Sequence, residues 1–134
     1  MRDCDTELFD AFHLEDINSK RLGGLSGGTR QKVSACLAFL FHPEMLILDE
    51  PTAGLDVVSS ELLKEKIKAE RKKGKLILIS SHVLSDFDEL VDSVIYMQEG
   101  KIVFRSTTDS LKKQTGEHQL SKAIASTMGY SEND

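Results

Sequence analysis

The spacing of apolar residues predicts a helix in the first third of the chain. Apolar side chains recur at steps of three and four over residues 29–41, as on one face of an amphipathic helix. The expected inward residues are Val33, Cys36, Leu37, Leu40 and Phe41. Ser26 precedes this segment as a candidate N-cap, and Pro43 follows it as a helix stop. A shorter helix is predicted over residues 5–14, and a loop follows it.

Two uninterrupted apolar runs predict short strands that are buried on both faces, over residues 45–48 and 76–79. A helix is expected between them, over residues 57–73, with Asp56 as its cap. Its inward residues are expected to be Leu63 and Ile67. The remaining expected elements are a helix over 83–91, a hairpin over 94–104, and helices over 109–113 and 120–128. The order of strands and helices up to residue 97 predicts a parallel α/β arrangement.

Composition places the chain among ordinary globular proteins. Its 134 residues suit one domain, and 40% are hydrophobic while 29% are charged. The formal net charge of −5 argues against a dedicated nucleic-acid binder. The longest uncharged apolar run, over residues 33–43, falls short of the roughly 20 residues of a membrane-spanning helix. The amino terminus has no signal-peptide core, and Cys4 lies far from Cys36. We therefore expect a reducing, cytosolic location without a disulfide framework or zinc site.

Polar residues follow both predicted strands. Asp49 and Glu50 come directly after the first strand, and His82 comes shortly after the second. Ligands bind beyond the carboxyl ends of parallel strands, so these groups should share one edge of the sheet. Asp49 could hold Mg²⁺, and Glu50 could polarise a water molecule. The alternative is that this segment is only a turn after a strand, with His82 as a cap or packing residue.

The residues before the predicted helix over 29–41 are small. Gly27 and Gly28 would let backbone N–H groups approach an anion at the positive end of the helix, and Ser26 adds a hydroxyl group. The alternative is a plain glycine turn with a serine cap. Short glycine motifs alone do not decide between the two.

Three segments together favour the functional alternative. They read Leu-Ser-Gly-Gly-Thr-Arg-Gln over 25–31, Leu-Ile-Leu-Asp-Glu-Pro-Thr-Ala-Gly-Leu-Asp over 46–56, and Ser-His over 81–82. In this order and spacing they resemble the carboxyl-terminal part of an ATP-binding-cassette (ABC) ATPase domain. The resemblance implies an α/β fold, namely the C-terminal part of a P-loop NTPase-like parallel sheet flanked by helices.

The resemblance also implies an organisation for the whole chain, 1–134. Residues 1–24 would be a remnant of the helical subdomain. Residues 25–97 would form the signature helix with the Walker B and H-loop part. Residues 98–134 would form a C-terminal hairpin and helices.

Site roles follow from the same resemblance. The signature loop would face the γ-phosphate of an ATP molecule held mainly by an opposite subunit; it comprises Leu25, Ser26, Gly27, Gly28 and Thr29. Asp49 would act on Mg²⁺, and Glu50 would be the catalytic carboxylate that activates water. Asp56 would belong to the D-loop at the dimer interface, and His82 would contact the γ-phosphate.

The sequence departs from the family pattern in two places. Thr29 stands where glutamine is more usual, which is a minor change. No G-x-x-x-x-G-K-[ST] segment occurs in the 134 residues. We therefore expect that the chain alone neither binds MgATP tightly nor hydrolyses it. The predicted strand over 45–48 would also have an apolar edge. This edge predicts either a homo-oligomer, with strand exchange as one form of it, or a fragment of a longer protein.

The function implied by the resemblance is the ATP-binding subunit of an ABC transporter, with exporters of the ABC-2 type most similar at the carboxyl-terminal end. Its partners would be a membrane-spanning permease and a second ATPase domain or second copy, without nucleic acid. It would work in the cytoplasm at the inner face of the membrane. The alternatives are a lobe of a chromosome-maintenance or DNA-repair ABC ATPase and a non-catalytic interaction fragment. The basic run over 64–75 is interpreted as a solvated helix face.

Overall fold

The computed structural model describes residues 4–17 and 19–129; residues 1–3 of the charged amino terminus and residue 18 of the predicted loop lie outside this part. The helices are α1 (Glu7–Ala11), α2 (Gly27–Phe39), α3 (Val57–Lys72), α4 (Thr108–Thr115) and α5 (Leu120–Thr127). The strands are β1 (Met45–Asp49), β2 (Leu76–Ser80), β3 (Ser93–Gln98) and β4 (Lys101–Thr107). The chain forms two compact units, and the first ends at His82.

The first unit contains a two-stranded parallel sheet. β1 pairs with β2 in a register that runs from Met45 opposite Leu76 to Asp49 opposite Ser80. The predicted parallel α/β arrangement is confirmed for these strands. The expectation that they are buried on both faces is wrong: Ile47 is 68% exposed, whereas Leu46 on the other face is 3% exposed. Within the described residues, packing covers only one face of this pair.

Both predicted caps in the first unit are confirmed. The Ser26 hydroxyl oxygen accepts a hydrogen bond at the start of α2, and the Asp56 carboxylate does so at the start of α3. Leu63 and Ile67 are buried as expected. The predicted inward face of α2 is partly wrong, since Leu37 is 57% exposed. Phe41 is exposed too, and the buried stripe consists of Ala35, Cys36 and Phe39.

A buried group of charges connects α1 and α3. Nζ of Lys66 lies 2.5 Å from Asp5 Oδ2 and 2.6 Å from Glu7 Oε2. The same ammonium lies 3.4 Å from Oε1 of Glu70, a fully buried residue. The interpretation of residues 64–75 as a solvated face is therefore wrong for Lys66. Lys66 and Glu70 alternate with Leu63 and Ile67 at steps of three and four, so they share the inward side of α3.

The second unit contains an antiparallel hairpin of β3 and β4, with an irregularity between Tyr96 and Met97. The hairpin is confirmed. Within residues 4–17 and 19–129, β3 pairs with β4 in a sheet of their own, so the prediction that β3 continues the parallel sheet is wrong. The predicted helix over 83–91 is replaced by a 3₁₀ turn, Leu84–Phe87. Its apolar residues recur every three positions, which suits the three-residue repeat of a 3₁₀ helix.

α4 and α5 support the hairpin in the second unit. Their buried residues form a small core with apolar residues of β3 and β4; the buried members are Leu111, Leu120, Ala123 and Ile124. The rings of Tyr96 and Phe104 stack with their centroids 5.4 Å apart. The two helices predicted for this part of the chain are therefore confirmed.

Candidate functional site

The parallel register brings the polar strand ends together. Asp49 is the last residue of β1 and lies opposite Ser80, the last residue of β2. The Ser80 hydroxyl donates a hydrogen bond to Oδ1 of Asp49. The carboxyl ends of parallel strands meet at one edge of a sheet, so two segments far apart in sequence supply one polar edge.

Glu50 and His82 form a close pair at this edge. Oε1 of Glu50 accepts a hydrogen bond from the His82 backbone N–H at 3.0 Å and lies 2.7 Å from Nδ1 of the ring. The Ser81 hydroxyl donates to Oε2 at 3.3 Å. The hydrogen bond from the His82 side chain is the main reason why the pKa of Glu50 lies below its usual value. The carboxylate is thus ionised and oriented, and 35% of the side chain remains exposed.

The start of α2 is shaped by a cap and by a close backbone contact. Oγ of Ser26 accepts a hydrogen bond from the Thr29 N–H at 3.2 Å and lies 2.7 Å from the Thr29 hydroxyl oxygen. A Cβ atom at Gly27 would meet no atom within 4 Å, whereas one at Gly28 would lie 2.9 Å from the carbonyl oxygen of Gly54. Gly28 therefore serves a close approach of α2 to the loop after β1, while Gly27 leaves open space.

Asp56 is held in place by three donors. Its carboxylate accepts hydrogen bonds from the Ser59 N–H at 2.9 Å and the Ser59 hydroxyl at 2.7 Å. Lys32 Nζ, from α2, lies 3.0 Å from Oδ2. The hydrogen bonds from Ser59, followed by that from Lys32, hold the pKa of Asp56 well below its usual range. Asp56 therefore acts as a helix cap and as a link between α2 and α3.

Sequence reasoning missed two residues of α2 that contact the site. Nε2 of Gln31 donates to the carbonyl oxygens of Glu50 and Pro51, and Lys32 pairs with Asp56. The apolar periodicity carried no signal for Gln31, because it placed Val33, Cys36 and Leu37 on the inward side of the helix. In the structure the buried stripe includes Ala35, and Gln31 precedes Ala35 by four positions, so it lies on the same side of α2.

The donor set at the sheet edge fits Mg²⁺. The ion prefers oxygen ligands, keeps several waters, and is commonly held by one or two carboxylates together with phosphate oxygens. Asp49 is exposed at the strand end, with one oxygen fixed by Ser80. A single exposed carboxylate of this kind suits a hydrated ion that is shared with a phosphate group.

Comparison with known proteins identifies the family. A family model described as "ABC transporter" matches residues 2–53. The chain is 38% identical over 105 residues to the ABC transporter ATP-binding protein NatA of Bacillus subtilis, an alignment covering 78% of this chain and 43% of NatA. The chain belongs to the family of ABC transporter ATP-binding proteins. The family expected from the signature, Walker B and H-loop segments is thereby confirmed.

Further ABC relatives support the assignment. The bacitracin transport ATP-binding protein BcrA of Bacillus licheniformis is 38% identical over 109 residues, covering 81% of this chain and 36% of BcrA. A solved ATP-binding subunit of an ABC transporter matches with a TM-score of 0.81 at 31% identity, over 90% of this chain and 51% of that chain. The chain thus spans less than half the length of the two curated relatives. None of the helices in the described residues is long and apolar enough for a membrane span.

Proposed function

We propose that this chain supplies the hydrolytic edge of an ABC transporter ATPase domain, which couples ATP hydrolysis to export. The observation that carries the proposal is the Glu50 carboxylate, which is ionised, exposed and oriented by His82 beside Asp49. A carboxylate in this state can accept a proton from an attacking water molecule. The names of the matched relatives, which include a bacitracin transport protein, support the transport class.

Each site residue has a role in this proposal. Asp49 holds Mg²⁺ through its exposed oxygen while Ser80 fixes the other oxygen. Bound Mg²⁺ would neutralise charge on the phosphate oxygens and orient them. Glu50 orients water and takes up its proton, and His82 presents its exposed ring to the terminal phosphate. Hydrogen bonds and positive charge placed where phosphoryl charge develops stabilise the transition state.

The signature loop would complete the site across an interface. Residues 25–29 stand at the amino-terminal end of α2, where unpaired backbone N–H groups and the helix dipole favour an anion. The open space around Gly27 supports close approach of a phosphate, whereas Gly28 is occupied by its contact with Gly54. In the proposal this loop faces an ATP molecule held mainly by a second ATPase domain or a second copy.

These 134 residues contain no G-x-x-x-x-G-K-[ST] segment, so they supply no phosphate-binding loop for the triphosphate. We therefore assign triphosphate binding to residues outside this sequence and expect no hydrolysis by the chain alone. The permease would be the membrane-spanning partner, and the chain would act in the cytoplasm at the inner face of the membrane. No nucleic acid is expected, because the net charge is negative.

A chimera tests the proposal directly. This chain replaces the matched part of Bacillus subtilis NatA, so that the remaining part of NatA can supply the phosphate-binding loop. We expect the chimera to bind a fluorescent ATP analogue and to release phosphate. The Glu50→Gln variant should bind the analogue equally but release phosphate at least about 100-fold more slowly, because it has lost its proton acceptor.

Three results decide against the proposal. A chimera that binds nucleotide but releases no phosphate supports a non-catalytic interaction fragment instead. Equal rates for the chimera and its Glu50→Gln variant would show that Glu50 has no part in hydrolysis. Salt-dependent binding of duplex DNA by the chain would favour the DNA-repair alternative.

A further inference from the structure

One side chain of α2 contacts the backbone that carries the proposed catalytic carboxylate. Nε2 of Gln31 donates to the carbonyl oxygen of Glu50 at 3.3 Å and to that of Pro51 at 3.1 Å. Both partners can only accept hydrogen bonds, so the nitrogen of the Gln31 amide must face them. The contact lies in a half-buried region and joins segments that are 19 and 20 positions apart.

The backbone that Gln31 contacts has an unusual conformation at Glu50. Glu50 has a φ of 43°, in the left-handed region that a residue other than glycine adopts only when its surroundings hold it there. The Glu50 N–H donates to the Ser80 carbonyl oxygen at 2.9 Å, and the Glu50 carbonyl oxygen accepts from the Ala53 N–H at 3.0 Å. Those bonds come from the neighbouring strand and from the turn itself. Gln31 adds an anchor from a different element, α2.

The backbone conformation of Glu50 decides where its carboxylate points. From this position the carboxylate reaches both the His82 N–H and the His82 ring. We propose that Gln31 is a positioning residue: its hydrogen bonds to the carbonyl oxygens of Glu50 and Pro51 hold the backbone that follows Glu50 and so keep the Glu50 carboxylate against His82. The catalytic consequence of this inference rests on the proposed function.

The same contact connects two parts of the proposed site. The signature loop leads into α2, and Gln31 follows its last residue, Thr29, by two positions, within the first turns of the helix. Gly28 makes a second close approach of the same helix to the same loop, at Gly54. A shift of the first turns of α2 would therefore be transmitted to Glu50 through the Gln31 amide.

The first part of the test uses the isolated full chain. Gln31→Glu keeps the side-chain length and removes both donors, and Gln31→Met does so without adding charge. Gln114→Glu is the matched control, because it makes the same chemical change at an exposed position of α4. Hydrogen exchange of the His82 amide, followed by NMR, reports whether its bond to Glu50 persists. We expect exchange at least about tenfold faster in both Gln31 variants and unchanged in the control.

The second part measures hydrolysis by the NatA chimera described above. Loss of positioning should lower kcat at least about tenfold while KM for ATP stays within about twofold, because Gln31 does not touch the nucleotide. A purely structural role would not produce this split in well-folded variants. Gln114→Glu should leave both constants unchanged.

The two parts separate the two claims. If the unsubstituted chimera binds ATP but does not hydrolyse it, the proposed function fails, and the exchange rates still decide the role of Gln31. If a folded Gln31→Met chain keeps His82 protected, or if its chimera keeps the full kcat, the positioning role is overturned.

Discussion

Two carboxylates in the first unit are held by side-chain partners in opposite settings. At the sheet edge, the side chains of Glu50 and His82 are 35% and 79% exposed. Between α1 and α3, Lys66 is 2% exposed in its side chain, its partners Asp5 and Glu70 are 8% and 0% exposed, and its third partner, Glu7, is 69% exposed. Glu50 and His82 stay accessible to water and ligand, whereas Lys66, Asp5 and Glu70 are shielded from both.

This difference in exposure indicates that Glu50 and His82 serve the chemistry and that the Lys66 group serves stability. A contact between exposed polar side chains competes with water and adds little to the free energy of unfolding, so Glu50 and His82 can be kept for what they do to a ligand. Removing one partner of a buried pair leaves an uncompensated charge in a medium that solvates it poorly. The Lys66 group should therefore control folding and leave the chemistry of the sheet edge untouched.

The largest expected effect is at Lys66. Lys66→Met leaves the buried Asp5 without its close cation, whereas Glu70 keeps Lys73 and Lys75, so the free energy of unfolding should fall by about 3 kcal/mol. Urea denaturation of the isolated chain measures this loss. The matched control is Lys68→Met, since Lys68 is 38% exposed in its side chain and pairs only loosely with Glu65, at 3.6 Å. Equal losses of unfolding free energy in the two variants would show that the buried contacts stabilise the fold no more than the exposed ones.

The second-largest effect is expected on acidification, which should weaken the stabilisation by the buried charges around Lys66. Burial raises the pKa of Glu70, but hydrogen bonds from Lys73 and Lys75 and the charge of Lys66 outweigh it and lower the pKa to about 2. The unfolded chain therefore binds the extra proton first, and the contribution of Glu70 is complete above its ordinary pKa of 4.5 and is lost as the pH falls toward 2.

Urea midpoints measured from pH 7 down to pH 2.5 follow this loss. Glu70→Gln should show a flatter decline below pH 4.5, because the titrating group is gone. Glu65→Gln, at a side chain that is 71% exposed, should follow the unsubstituted chain. A decline that is the same in all three proteins would mean that Glu70 does not control acid stability.

An intermediate effect is expected where α2 meets the loop after β1. A methyl group at Gly28 would lie 2.9 Å from the Gly54 carbonyl oxygen, and the backbone would have to move. Gly28→Ala should therefore cost about 1 to 3 kcal/mol of unfolding free energy. Gly27→Ala, which meets open space, should leave stability unchanged or slightly higher. Similar urea midpoints for the two variants would rule out the close approach.

The smallest effect on stability should come from the exposed pair. Glu50→Gln and His82→Ala remove hydrogen bonds that solvent can replace, so the urea midpoint should stay within experimental error. Thermal unfolding of the same variants gives an independent check. A clear drop in either measurement would mean that the sheet edge also serves to hold the fold together.

Much of the site could be predicted from the sequence because its signals are local. Apolar runs followed directly by Asp49 and Glu50, and later by His82, mark strand ends, and parallel pairing then brings those ends together. The caps Ser26 and Asp56 were predictable for the same reason, since a capping side chain bonds to a backbone N–H only a few residues away.

The rest depends on partners distant in sequence. Periodicity did not place Gln31 or Lys66 on the inward sides of their helices, because the partners of these two residues, the Glu50 backbone and Asp5, lie far away in sequence. Ile47 and Leu37 were predicted to be buried but are exposed. An apolar pattern shows which side chains can be buried, but it does not show whether another part of the protein packs against them. The 3₁₀ turn was missed because a three-residue spacing of apolar side chains suits both helix types.

The central claim is that Glu50 serves hydrolysis and the Lys66 group serves stability. Its most direct test measures phosphate release and unfolding on two variants of the NatA chimera, Glu50→Gln and Lys66→Met. We expect Glu50→Gln to lose phosphate release and keep its urea midpoint. Lys66→Met should lose stability and keep its turnover per folded molecule. Phosphate release at the unsubstituted rate by Glu50→Gln would contradict the account.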